Sequence, residues 1–315
     1  MEESLSGSAG RRSKLLELEV AVAELVPAIS ESLWVGGMHM HNVPMALVRE
    51  CIRQGKRFGR LYAAPSSSLA ADLLMGAGLV DEVLVGYLGY EHLGMSSLFR
   101  RLAEGGATGP RIVDADSGSL VVALQAGAWG LPFAPLPPGL EKTDLPSASP
   151  QQYKRLLDPF TGEESLAVQA IRPAVALVHC QQADEFGNGV FKGSAFTDRL
   201  LAQAAGTVLM QVENIVSNDQ VLKYPQQTAI PSFLTAGVVQ VNFGCHPTSS
   251  HRYYNFDDVH LRLYLKASQT EEGFKIYMRD YVLGPDDQEE YMRRVQNQDW
   301  SSIGAETGGE EEGKA

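Results

Sequence analysis

The residues Leu33-Trp34-Val35-Gly36-Gly37-Met38-His39-Met40-His41-Asn42-Val43-Pro44-Met45-Ala46-Leu47-Val48 set the grammar of the chain. Apolar residues run into paired glycines, a short polar loop comes next, and Pro44 opens a new apolar-periodic segment. That order predicts a strand, a tight glycine turn and a helix. Proline is tolerated in a first helical turn because the N–H it lacks would be unpaired there anyway. Paired glycines let backbone N–H groups approach a ligand closely, as an anion or a developing oxyanion requires. A glycine pair is also an ordinary turn, so Gly36 and Gly37 take their meaning from the rest of the chain.

Outward from that stretch the same rhythm repeats. Segment 46–54 places Leu47, Val48, Cys51 and Ile52 on one helical face, 61–64 reads as a strand, and 69–75 as a helix stopped at Gly76-Ala77-Gly78. Segment 83–87 reads as a strand, with helices at 96–103 and 120–128. The apolar run 174–180, interrupted only by His179 and set behind Arg172-Pro173, predicts a strand buried on both faces, followed by a helix at 200–205 and a strand at 207–212. Strands alternating with helices predict an α/β fold: an open, mostly parallel sheet with flanking helices. The stretch 131–150 holds Pro132, Pro135, Pro137, Pro138, Pro146 and Pro150, too many for regular structure. Phe133, Leu136 and Leu140 give it something to bury, so an ordered surface excursion is expected. Residues 1–14, rich in Ser and Gly, and the acidic tail 301–315 read as disordered, leaving 15–300 as one domain.

Bulk properties exclude several classes. The net charge is −12 and no Lys/Arg block is long enough to track a phosphate backbone, which argues against nucleic acid as a partner. No apolar run approaches the ~20 residues of a membrane span. The polar N-terminus lacks the apolar core of a signal peptide. Cys51, Cys180 and Cys245 are few and far apart, which fits reduced thiols rather than a disulfide framework. A cytoplasmic location is expected.

Four motifs in order resemble the alpha subunits of the family I CoA-transferases, the glutaconate CoA-transferase branch above all. They are Gly36-Gly37 with Pro44 beyond; Ala71-Asp72-Leu73-Leu74-Met75-Gly76-Ala77-Gly78 with Gly86-Tyr87-Leu88-Gly89; Arg172-Pro173 through His179-Cys180-Gln181-Gln182-Ala183-Asp184-Glu185-Phe186-Gly187-Asn188; and Ile230-Pro231 through Gly244-Cys245-His246-Pro247 with Tyr253-Tyr254 and Asp257-Asp258. The resemblance implies the CoA-transferase fold (NagB/RpiA-like) and a beta-subunit partner of the same fold, as an α2β2 heterotetramer. It also implies ping-pong transfer of CoA between a short acyl-CoA and a carboxylic acid through a glutamyl-CoA thioester. The nucleophilic glutamate of such enzymes sits on the beta subunit in a Glu-Asn-Gly motif, which is missing here, so no catalytic residue is expected in this chain. Glu213-Asn214-Ile215 is a decoy: an acid at a strand end is usually a solvated or capping group. No metal or redox cofactor is expected, coenzyme A being a substrate.

Substrate contacts are expected from Gly36, Gly37, His39, Ser66, Ser67, Glu91, Ser117 and Gly118. The glycines follow a strand end, where open α/β sheets bind ligands. His39 and His41 have no third ligand at useful spacing, so no metal is expected there. Ser66-Ser67-Ser68 reads either as the N-cap of the helix near Leu69 or as hydroxyls for a substrate carboxylate. Glu91 is an exposed loop acid or an orienting group. Ser117-Gly118 stands where 3-oxoacid relatives carry Gln-Gly and ring-opening hydrolases a glutamate; a backbone N–H survives either change. Asp184 to Gly189 reads as a turn, His179 as a satisfied core histidine, and Tyr253, Tyr254, Asp257 and Asp258 as an interface or CoA-entrance cluster. Decarboxylation or hydrolysis of a CoA thioester is the alternative chemistry. A non-catalytic scaffolding role is the alternative of another class.

Overall fold

The computed structural model describes residues 11–105 and 108–296. Strands β1 (Ile29–Val35), β2 (Arg57–Ala63), β3 (Val80–Val85) and β4 (Arg111–Asp114) pair in parallel, each followed by a helix: α2 (Met45–Arg53), α3 (Leu69–Gly76), α4 (Ser97–Ala103) and α5 (Ser117–Ala128), with α1 (Leu18–Leu25) ahead of them. Strands β5 (Phe133–Pro135), β6 (Tyr153–Leu157) and β7 (Glu164–Gln169) form a separate antiparallel sheet, with α6 (Leu145–Ala148) between the first two. The chain then returns to the main sheet through β8 (Val175–Ala183), which lies parallel to β1 on one side and to β10 (Thr207–Ile215) on the other. Strand β9 (Gly189–Val190), α7 (Asp198–Ala204), α8 (Asn218–Lys223), β11 (Thr228–Ile230) and β12 (Gly237–Gln240) complete it, giving nine strands in the main sheet among the described residues. Helices α9 (Asp258–Ala267) and α10 (Glu271–Met278), a π turn at Arg279–Leu283 and α11 (Gln288–Gln296) close the chain.

Each sheet face has its own core. One packs Leu33, Val35, Leu61, Ala63, Val83 and Val85 under α1, α2, α3 and α10; the other packs Trp34, Tyr62, Leu84 and Val178 under α5 and the small sheet. The alternation along β1 to β3 is the period-2 pattern of a strand covered on both sides. Strand β8, nearly all buried, is the central strand its apolar run predicts. Helix α2 is buried from Met45 to Ile52, including Arg49 and Glu50. The Arg49 guanidinium stacks 3.8 Å from the Tyr291 ring centroid and donates to the His246 carbonyl (3.0 Å) and Gln288 Oε1 (2.9 Å).

Several expectations change. The proline-rich stretch does hold regular structure: β5 and α6 accommodate prolines at an edge strand and a first helical turn, and Leu136 is buried beneath them. Ser68 occupies the N-cap position of α3 without capping it, because its hydroxyl donates to the His39 carbonyl instead. Asp72 is fully buried and accepts from Tyr90 (2.8 Å) and Ser96 (2.6 and 2.7 Å). Burial raises its carboxyl to about 6 despite those bonds. Of the two segments expected to lack structure, residues 1–10 and 301–315 lie outside the described residues. Lys14 is tied down, donating from Nζ to the carbonyls of Ser232 (2.6 Å) and Thr235 (2.7 Å). No described helix is long and apolar enough to cross a membrane.

Candidate active site

Parallel strands bring their carboxyl ends to one edge, and the register fixes which loops meet there. Val35 lies opposite Leu177, Ala63 opposite Val85, and Val85 opposite Asp114. The loops after β1, β2, β3 and β4 therefore adjoin, and with them Gly36, Gly37, His39, Ser66, Ser67, Glu91, Ser117 and Gly118. Specific bonds join them. His39 N–H donates to the Ser66 carbonyl (3.3 Å), Ser67 N–H to the Tyr87 carbonyl (3.0 Å), and Ser117 Oγ to the Pro65 carbonyl (2.6 Å). Glu91 is exposed, with Oε1 3.6 Å from His41 Nε2. His39 and Glu91 both take positive φ, at 50° and 51°. Such values are uncommon outside glycine and mark loops held by their surroundings.

Among the described residues, Ser66 Oγ, His39 Nδ1 and Thr197 Oγ1 are buried without a hydrogen-bond partner. An unpaired buried polar atom costs about 1–3 kcal/mol, so polar atoms left open beside a strand edge are those a ligand would satisfy. Burial lowers the His39 imidazole, with Glu91 pulling it back. Helix α5 adds donors: Asp116 caps it by accepting from Ser119 N–H (2.7 Å), while the N–H groups of Ser117 and Gly118 have no acceptor among the described residues.

The glycine loop carries a partner that the sequence did not suggest. Gly36 N–H donates to the Leu177 carbonyl (2.8 Å). Gly37 N–H donates to Asp198, 3.0 Å from Oδ1 and 3.2 Å from Oδ2. Both amides are thus spent on protein acceptors. Gly36 is required because a Cβ there would lie 2.7 Å from Asp198 Oδ1. Gly37, at φ +80°, would meet the His41 carbonyl at 2.5 Å. Asp198 is completely buried, and burial pushes its carboxyl up from 3.8 to about 7 against the pull of that one N–H. In sequence, Thr197-Asp198 is an ordinary helix start.

Behind the edge lies a buried polar band. Gln211 Oε1 accepts from Leu47 N–H (3.3 Å), which orients its amide to donate to His179 Nδ1 (3.1 Å). That leaves His179 Nε2 as the donor to Ser250 Oγ (2.9 Å). The imidazole is a satisfied core group, lowered by burial to about 3. Asn42 Oδ1 accepts from Gln181 Nε2 (3.0 Å) and His251 N–H (3.2 Å), joining the first loop to the last. Glu213 is buried rather than solvated. It accepts from Tyr254 (2.5 Å) and from Phe243 N–H (2.9 Å), and burial raises its carboxyl. His179, Glu213 and Cys245 bring ligand-type atoms within 4.8 Å of one another. The imidazole and the carboxylate of this trio are already paired within the protein. Tyr254 and Asp257 of the C-terminal cluster are likewise internal: Tyr254 accepts from Cys245 N–H (3.0 Å) and Asp257 caps α9 through His260 N–H (2.9 Å).

Comparison with known proteins decides what this edge belongs to. Residues 17–240 match the family model for coenzyme A transferase. The chain belongs to the coenzyme A transferase family. It is 32% identical to the A-type chain of 3-oxoadipate CoA-transferase from Pseudomonas knackmussii, over 81% of this chain and 89% of that one. It is 28% identical to the A-type chain of glutaconate CoA-transferase from Acidaminococcus fermentans, over 90% and 92%. The crystal structure of that organism's glutaconate coenzyme A-transferase superposes with a TM-score of 0.84 at 26% identity, covering 90% of this chain and 93% of the other. A variant of the decarboxylase AibA/AibB matches with a TM-score of 0.71 at 30% identity, over 85% and 99%. The chain also spans 62% of the length of a protein of Archaeoglobus fulgidus with which it shares 35% identity over 90% of its own length. The transferase family thus accounts for the sheet, and its A-type chains for nearly the whole described structure.

Proposed function

We propose that this CoA-transferase family member is the alpha subunit of a heteromeric enzyme, α2β2 in assembly, that moves CoA between a short acyl-CoA and a carboxylic acid. A beta-subunit glutamate attacks the thioester carbonyl, expelling CoA thiolate and forming an acyl anhydride. The thiolate then attacks the glutamyl carbonyl, which releases the acyl carboxylate and leaves a glutamyl-CoA thioester; the acceptor acid reverses both steps. One observation carries this reading. The carboxyl edge gathers polar groups suited to binding, yet carboxylates buried or half-buried along it are engaged: Asp198 with Gly37, Glu213 with Tyr254 and Phe243, and Asp116 with Ser119. The chain supplies positioning and the nucleophile comes from elsewhere.

In this reading the free N–H groups of Ser117 and Gly118, at the N-terminus of the twelve-residue α5, take the thioester oxyanion. Ser66, Ser67 and His39 orient the acyl carboxylate and Glu91 borders the entrance. No metal or redox cofactor takes part, since a carboxylate nucleophile and a thiolate leaving group need neither. Borohydride trapping of the acyl-CoA-treated complex, made by co-expression with the beta subunit, tests the division of labour. Reduction of a beta-subunit glutamate is expected; reduction of Glu213 overturns it. The likeness to a decarboxylase at 30% identity favours a second reading, decarboxylation of a CoA thioester. A residue other than glutamate at the beta subunit's nucleophile position would select it.

A further inference from the structure

A second polar region lies on the same strands, at their amino-terminal halves. On the sheet face that carries Trp34, Tyr62 and Leu84, the strands instead present Ser32, Arg60, Glu82 and Arg111. These are direct cross-strand neighbours: Ser32 pairs with Arg60, Arg60 with Glu82, and Glu82 with Arg111. The row floors a cleft of about 690 Å³ walled by Gln152, Gln169 and Arg172, within the size range of small-molecule sites. Glu82 is held from both sides, by Arg60 Nε at 2.5 Å and by Arg111. Two guanidinium groups share one carboxylate, and both Nη groups of Arg60 lack a protein acceptor among the described residues.

A second observation points the same way. Gln152 is 8% exposed and its Nε2 is a buried donor with no partner, and it lines both this cleft and the 360 Å³ recess adjoining it. Of the two rim acids, Asp81 pairs with Arg57 at 3.1 Å, and the exposed Glu31 is matched by Arg172 on the same rim, so the floor of Arg60, Glu82 and Arg111 keeps one positive charge in excess. Stability does not explain the row either. Apolar side chains beneath the small sheet would serve at least as well, because a part-buried ion pair gains little over a hydrophobic isostere.

We propose that this cleft binds a small multivalent oxyanion, of tricarboxylate or diphosphate type, independently of the carboxyl edge. Arg60, Arg111 and Gln152 supply the donors. The test is calorimetric titration of the full chain with citrate and with inorganic pyrophosphate, at constant ionic strength held with sodium chloride. Saturable one-to-one binding of at least one is expected, and the tighter of the two identifies the group. Arg111→Gln, which leaves Glu82 its Arg60 partner, and Gln152→Leu should each weaken binding about tenfold or more. Saturating CoA should leave it unchanged. The absence of saturable heat with either anion overturns the proposal. So does affinity that both variants retain, or binding that CoA displaces, which would place the anion at the other end of the strands.

Discussion

Replacing Asp198 by asparagine tests the buried contact behind the glycine loop. Its carboxyl is pushed up from 3.8 to about 7 by burial. Each tenfold change in proton affinity is worth ~1.4 kcal/mol, so ionising Asp198 inside the fold costs about 4 kcal/mol relative to the unfolded chain. The sign follows from which state holds the proton more tightly. Below pH 3.8 both states are protonated and the group is neutral to stability. As pH rises toward 7 the unfolded chain releases its proton while the folded one keeps it, so the native state loses stability across that window and then levels off. The Asp198→Asn variant cannot titrate in this way, and it keeps an oxygen to accept the Gly37 N–H. Its extra buried NH2 group costs about 1–3 kcal/mol, but at every pH alike. The readout is therefore the difference between wild type and variant in urea denaturation at pH 4.5 and pH 8. That difference should shift by about 3–4 kcal/mol in the variant's favour on going to pH 8. A difference that moves by less than about 1 kcal/mol would refute the buried, singly bonded carboxylate.

Other perturbations read different parts of the molecule. Gly37→Ala adds a Cβ 2.5 Å from the His41 carbonyl at φ +80° and should cost about 1–3 kcal/mol or more by chemical denaturation. Tyr90→Phe removes the 2.8 Å bond to buried Asp72 and should cost about 1–3 kcal/mol in the same assay. Arg49→Lys loses the planar stack on Tyr291 and cannot reach both acceptors in one plane, so a lower melting temperature is expected. In the reconstituted complex Ser117→Ala should lower kcat less than about tenfold, whereas Ser117→Pro should lower it about 100-fold or more with assembly retained. Proline fits the first helical position but deletes the N–H. Equal, wild-type turnover in both variants would make the chain a scaffold.

The parallel core was legible because its strands are buried on both faces, and continuous apolar runs such as 174–178 leave little else to assign. Strand β1 starts four residues before its apolar end, in Ile29-Ser30-Glu31-Ser32, and β2 starts at Arg57-Phe58-Gly59-Arg60; polar residues facing the cleft hid both beginnings. Strands β9 and β11 escaped notice because two or three residues show no period. At the site, loops following strand ends announced the glycines and serines. Their partners were invisible for the opposite reason. Gly37 meets Asp198 across 161 residues and Asn42 meets His251 across 209, and no local pattern encodes a pairing at that separation.

Helix α2 gives the edge its mechanical character. The loop from Gly36 to Pro44 runs between a central strand and a helix enclosed on all sides, and Asn42 ties its middle to the last loop. A segment anchored in that way does not open on its own, so its hydrogen-bonded amides, those of Met38, His39, His41 and Asn42, should exchange with solvent more slowly than those of an exposed loop. The turn from Glu91 to Met95 is held more lightly: it is largely exposed, and a bond that ties it to the rest of the fold, His92 Nε2 to Asp258 Oδ1 at 3.1 Å, lies at the surface. A buried jaw thus faces an exposed one, and under the proposed activity adjustment to acyl groups of different length falls to the exposed side.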